Sequence, residues 1–229
     1  MKRRILIASL SCCMLFYTML PYASFAKDPT LKEKIAALAA EGKTIPVVYV
    51  VYTWDGIKGQ QTRPPSIISQ DLFKQKAVPD AYKTVVDNVV ESLNTGYGVT
   101  CFNSVPFDSL PTKESSVFGK EPDWSAVDYS LYVSVVINGV YDLVLGQSSK
   151  SIKLTMKCEI KIMENIEKKG KKKSDTIKAL YATAATKPIT VKSAYSTFEE
   201  FTKDIPPESV VDDLKGAVAK EVGKYAAKK

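Results

Sequence analysis

The stretch Ile152-Lys153-Leu154-Thr155-Met156-Lys157-Cys158-Glu159-Ile160-Lys161-Ile162 alternates apolar and polar residues without a break. Side chains of a strand point to opposite faces in turn, so this spacing predicts a strand with its even-numbered residues buried and its odd-numbered residues wet. A sheet with one dry and one wet face is characteristically antiparallel. The neighbouring sequence reads as the rest of a meander. Upstream, Leu131, Val133, Val135 and Ile137 alternate with Tyr132, Ser134 and Val136. Asn138-Gly139 has the composition of a two-residue hairpin turn, after which Val140 to Leu145 runs back and Gly146 to Lys150 turns again. Downstream, the run Lys168-Lys169-Gly170-Lys171-Lys172-Lys173 reads as a solvated hairpin tip and Asp175 to about Ala184 as the return strand.

Helices flank this core. Leu31 to Glu41 carries Leu31, Ile35 and Leu38 on one face, with Gly42 as its stop. Ile45 to Trp54 is apolar on both faces, as a strand at the centre of its sheet would be. Asp80 opens a helix repeating Tyr82, Val86, Val89 and Leu93 and ending at Asn94-Thr95-Gly96, and Val99 to Val105 is another strand. Thr197-Phe198-Glu199-Glu200 has the spacing of a capping box, and a last helix bears Val211, Leu214, Val218, Val222 and Tyr225 along one stripe. Two stretches read as long loops, Asp55 to about Ala77 and Pro106 to about Val127; the second holds Phe107, Phe118 and Trp124. Those aromatics either pin the loop to the core edge or form a partner-binding tip. The predicted fold is a single α+β domain, a mostly antiparallel sheet (meander) with helices packed on one face.

The first residues predict where the domain works. Lys2, Arg3 and Arg4 precede an apolar stretch from Ile5 to about Met19, Pro21 breaks it, and Ser24-Phe25-Ala26 places small residues before a cleavage site. This is the layout of a secretory signal over residues 1–26, with the α+β domain over 27–229 and a periplasmic or secreted destination. An uncleaved anchor and lipidation at Cys12 or Cys13 are the alternatives. The whole chain has 32 basic and 25 acidic residues; removing the signal leaves 29 against 25, a net charge of +4.

That excess is concentrated in Lys168, Lys169, Lys171, Lys172 and Lys173, with Lys153, Lys157 and Lys161 in line along the wet face of the preceding strand. These lysines and the three loop aromatics are the candidate interaction surface. No aromatic interrupts the basic run, so nucleic acid is not the expected partner. Weak contact with an anionic membrane surface, or with an acidic protein, fits better. The bland reading is that the lysines only keep the strand soluble.

Cys101 and Cys158 are the two cysteines beyond the signal. In an oxidising compartment an even number favours a disulfide, which would stabilise the fold by roughly 4 kcal/mol in the chain-entropy model. Two buried free thiols are the alternative.

The chain contains no histidine, which removes the commonest general base and the His-containing zinc sites. Gly56 and Gly59 match neither nucleotide-binding pattern. No catalytic residue, metal or cofactor is therefore expected. Asp55, Asp108, Glu121 and Asp123 leave room for a carboxylate hydrolase, or a secreted glycan or small-molecule binder, as the alternative function.

Ala126-Val127-Asp128-Tyr129, leading into the meander and a closing helix, resembles a segment of several bacterial envelope domains. These are the amino-terminal domain of TolB, the periplasmic domain of the curli-secretion lipoprotein CsgG, and auxiliary lipoproteins of some envelope ABC transporters. Glu164 to Lys171 corresponds to their later strand-joining turn, while Val133 and Ser134 stand where those families often place a glycine. The resemblance implies a non-catalytic role in protein interaction or envelope assembly.

Overall fold

The computed structural model describes residues 28–51, 57–58, 80–115, 119–123, 129–145, 150–168, 171–190 and 198–228. The proposed signal, Asp55, Phe118, Trp124, Lys169 and the Ala126-Val127-Asp128 segment lie outside them. The chain divides into two units, residues 1–34 and 35–229. In chain order the elements are α1 (Leu31–Ala40), β1 (Ile45–Val51), β2 (Ile57–Lys58), α2 (Asp80–Tyr97), β3 (Phe102–Pro106), β4 (Thr112–Ser115) and β5 (Gly119–Pro122). There follow β6 (Leu131–Leu145), β7 (Lys150–Lys168), β8 (Lys171–Ala185), β9 (Ile189–Thr190), α3 (Phe198–Asp204) and α4 (Val211–Ala226). Short 3₁₀ turns span Phe107–Ser109 and Pro207–Val210.

Local chemistry fixes the helix ends. The Thr30 hydroxyl accepts the Glu33 N–H at 3.3 Å while the Glu33 carboxylate accepts the Thr30 N–H at 2.7 Å, a reciprocal capping box. At the other end of α1, Gly42 has φ 69°, and the N–H groups of Gly42 and Lys43 donate to Ala39 and Leu38 at 3.1 and 2.9 Å. The end of α2 repeats the device with Gly98 at φ 66°, Gly98 donating to Thr95 at 3.2 Å and Val99 to Asn94 at 2.9 Å. Only residues tolerant of positive φ close a helix this way, so α2 runs past the expected stop at Gly96 to the glycine that can be left-handed.

The α+β class expected from the sequence holds, but the sheet is mixed. Its main strand order is β3-β1-β6-β7-β8, with β2 beside β6 and β9 beside β7. β6, β7 and β8 form the antiparallel meander, whereas β1 runs parallel to both β3 and β6. The parallel pair β1/β3 is joined by α2, a βαβ unit, because parallel neighbours need a long crossover.

Two local expectations are corrected. Asn138-Gly139 is not a turn: β6 continues through it and pairs with β7 without interruption from Leu131↔Glu164 to Leu145↔Lys150. A ladder of that length outweighs a two-residue turn preference, and Gly139 is buried opposite Met156. The stretch from Pro106 to Val127 is not irregular throughout, since Thr112–Ser115 and Gly119–Pro122 pair as a small antiparallel hairpin.

The core lies on one face of the sheet. Ile152, Leu154, Met156, Cys158, Ile160 and Ile162 are all buried there, level with Val133, Val135 and Ile137 of β6 and with Leu180, Ala182 and Ala184 of β8. Val85, Val89 and Leu93 of α2 and Leu214, Val218 and Val222 of α4 are buried as well, with α2 and α4 packed on each other and on the strands. Each such side chain contributes roughly 1.5–3 kcal/mol of burial before entropy is counted. The helices approach closely at Gly96, where an added Cβ would lie 2.9 Å from that of Ala226. Phe201 meets Tyr141 edge-on, ring centroids 4.9 Å apart.

Candidate interaction surface

Among the described residues the opposite face of the sheet is covered at one end only. There Val48, Tyr132 and Leu110 form a second, smaller core, with Val105, Phe107, Tyr129 and Met163 packed against it. Phe107, a candidate contact residue, therefore pins the 3₁₀ turn to the sheet. Asn165 secures the same end: its side-chain N–H donates to the Tyr129 carbonyl at 2.6 Å, its oxygen accepts from the Ser174 hydroxyl, and its backbone N–H donates to Ser130 at 2.9 Å.

Beyond this cluster the outer face is a three-strand platform. Its cross-strand rows are Ser134–Lys161–Ala179, Val136–Glu159–Tyr181, Asn138–Lys157–Thr183 and Val140–Thr155–Ala185. Tyr181 is 64% exposed. A shallow depression of about 200 Å³ lies on this platform, lined in part by Val136, Asn138, Lys157, Glu159, Tyr181 and Thr183. Lys157 is exposed; Lys161 is held by Glu159 at 2.9 Å. With Lys153 half-buried, the odd-numbered positions of β7 take the outer face throughout this stretch.

Lys153, Lys157 and Lys161 stand four residues apart, about 13 Å along the strand, and Lys168 lies seven residues beyond, so the stretch from Lys153 to Lys168 runs roughly 50 Å and is not one patch. Lys168, Lys171 and Lys172 lie in the paired ends of β7 and β8, with Lys168 opposite Lys171. Lys173 is exposed. Side chains of Lys168, Lys171 and Lys172 lie outside the described residues.

The expected disulfide is not formed: Cys101 and Cys158 are both free thiols. Cys101 lies just before β3 and Cys158 in β7, so β1 and β6 stand between them, a lateral separation of about 14 Å at the ordinary strand spacing. Bridging needs Cα atoms within about 7 Å. Burial first, then the charge of Glu159, pushes the Cys158 thiol up to about 12; burial also raises that of Cys101. Thiols held protonated in this way are poor nucleophiles.

Among the described residues no group of three or more Cys, Asp or Glu side chains converges to hold a metal ion. Of the four loop acids, only Asp123 has a described side chain, half-buried; Asp108 belongs to the 3₁₀ turn and Glu121 to β5.

Tyr181, the most exposed large apolar side chain described, was not evident in the sequence. A bulge between Lys178 and Thr176, opposite Ile162/Met163, resets the alternation of β8. From there on the inward residues are Leu180, Ala182 and Ala184, and alanine is a weak marker of burial. The only usable signal was Leu180-Tyr181 itself, an aliphatic residue facing the core with an amphipathic ring facing out.

No protein-family model and no curated protein matches the chain. Among solved structures it is similar to the hypothetical protein CT253 from Chlamydia trachomatis, at 10% identity over 81% of this chain and 99% of that one, with a TM-score of 0.33. It is also similar to a neuraminyllactose-binding hemagglutinin homolog from Helicobacter pylori, at 11% identity over 81% of this chain and 84% of that one, with a TM-score of 0.34.

Proposed function

We propose that this chain is an exported, non-catalytic interaction domain of the bacterial envelope, and that it holds an envelope protein against the outer face of β6, β7 and β8. The observation that carries this reading is the asymmetry of the sheet. One face lies beneath α2 and α4, whereas the other presents Tyr181, 64% exposed, beside Val136 and Lys157 over a shallow depression. A tyrosine ring beside small side chains is the composition of a protein contact, with large area at low entropy cost. The lysines of β7 favour a partner with acidic side chains around that contact. The three-part layout of residues 1–26 supports export, and the absence of histidine supports a role without general-base catalysis.

A photo-crosslinking amino acid at Tyr181 in intact cells, followed by mass spectrometry, tests the reading. The expected product is a covalent adduct with one envelope protein, absent when the probe is moved to Lys83 on α2. Recovery of the uncrosslinked chain alone, under conditions that capture a known envelope complex, overturns it.

A further inference from the structure

We propose that the outer edge of β8 pairs with the same edge of a second copy of this chain, continuing the sheet across a two-fold axis at Ala182. The sheet ends at β8, and among the described residues no strand pairs with its outer edge. An open edge is a template for strand addition, and folded proteins ordinarily blunt it with charge, proline, a bulge or shortness. The opposite edge is blunted: β3 is five residues long and ends in Pro106. The first half of β8 is blunted too, by Lys171, Lys172, Lys173 and Lys178 and by the bulge at Ile177.

From Ala179 to Ala185 none of these devices is present. Ala-Leu-Tyr-Ala-Thr-Ala-Ala has no charge and no proline, and it pairs with β7 in unbroken register. The two exposed large hydrophobic residues described, Ile177 at 37% and Tyr181 at 64%, both belong to this strand.

Self-complementarity identifies the occupant. Antiparallel pairing centred on Ala182 sets Tyr181 against Thr183, Leu180 against Ala184 and Ala179 against Ala185 of the second copy. Core-facing residues then meet core-facing residues, and outward ones meet outward ones, as the pleat requires. Lys178 falls opposite Thr186 and Lys187 opposite Ile177, so no two lysines oppose each other across the axis. An isologous two-fold contact is the commonest way a soluble chain self-associates. This surface is the strand edge and is distinct from the outer face assigned to a partner above.

Sedimentation of the full-length expressed chain over a concentration series tests the pairing, with circular dichroism as the check on folding. The wild type is expected to form a dimer. Ala179→Glu with Ala185→Glu opposes like charges twice across the axis and is expected to sediment as a monomer. Ala179→Glu with Ala185→Lys opposes unlike charges and is expected to restore the dimer, which a merely damaged strand would not do. A wild type that is monomeric throughout overturns the proposal, as does a Glu/Glu variant that dimerises as well as the wild type.

Discussion

At the scale of single residues, three glycines in two helices separate packing from propensity. Gly216 and Gly223 on α4 have open space where a Cβ would go, so Gly→Ala there gains helix propensity alone, about 0.5–1 kcal/mol each. Gly96 has the same propensity to gain, but its new Cβ would press on Ala226 at 2.9 Å and force α2 and α4 apart, costing about 1–3 kcal/mol. Thermal melts are expected to rise for Gly216→Ala and Gly223→Ala and fall for Gly96→Ala. The thiols give a second residue-scale prediction. Alkylation in denaturant without reductant is expected to label both Cys101 and Cys158, where a disulfide would leave neither reactive. Folding raises the Cys158 thiol from about 9.0 to about 12, so between those values the unfolded chain has released a proton that the folded one keeps. Stability therefore falls as pH rises through that window, by up to about 4 kcal/mol from this group. Cys158→Ala lacks that loss, and the advantage of wild type over it is expected to shrink from pH 9 upward in urea titrations.

The elements show what was legible and what was not. The alternation of β7 is legible because it is a local property that the solvent enforces on one face: every even position from Ile152 to Ile162 is buried, while of the odd positions Lys157 is exposed and Lys153, Thr155, Glu159 and Lys161 are half-buried. Charge buried on the inner face is therefore intolerable: Met156→Lys is expected to cost more than 4 kcal/mol, while Lys157→Glu stays within about 0.5 kcal/mol. Urea unfolding of the two variants checks this, and a large loss from Lys157→Glu would mean the register is displaced by one residue. Where tertiary partners decide, local reading failed. Asn138-Gly139 has turn chemistry, yet β7 supplies a continuous partner and β1 flanks the other edge of β6 as far as Val51↔Ile137. The expectation of a mostly antiparallel sheet leaves the direction of β1 unstated, although strand, helix, strand in sequence is the signal of a parallel pair. Asn94 could not have been foreseen: from the end of α2 its side chain donates to the Phe102 carbonyl at 3.2 Å and accepts the Phe102 N–H at 3.1 Å, tying α2 to β3.

At the scale of the whole molecule, the proposed role turns on whether the outer-face lysines attract a partner or only hydrate a strand. Both accounts give the same fold, so stability cannot distinguish them; capture can. The triple change Lys153→Glu, Lys157→Glu and Lys161→Glu replaces three positive charges with three negative ones on the face opposite the core. Glu159 would lose its 2.9 Å partner, a half-exposed pair contributing about 1 kcal/mol or less. Cooperative unfolding is therefore expected to survive with little loss. An acidic partner would meet repulsion in place of attraction across the same area, which slows association first and does so most at low salt. Photo-crosslinking through Tyr181 is thus expected to fall to background in the triple variant, with a smaller fall for wild type as salt rises. If the triple variant folds and still gives the full adduct, the lysines serve solubility alone and the contact rests on Tyr181 and its small neighbours. If Tyr181→Ser abolishes the adduct of a probe placed at Thr183 while the triple variant does not, the apolar centre of the platform carries recognition and the basic line does not.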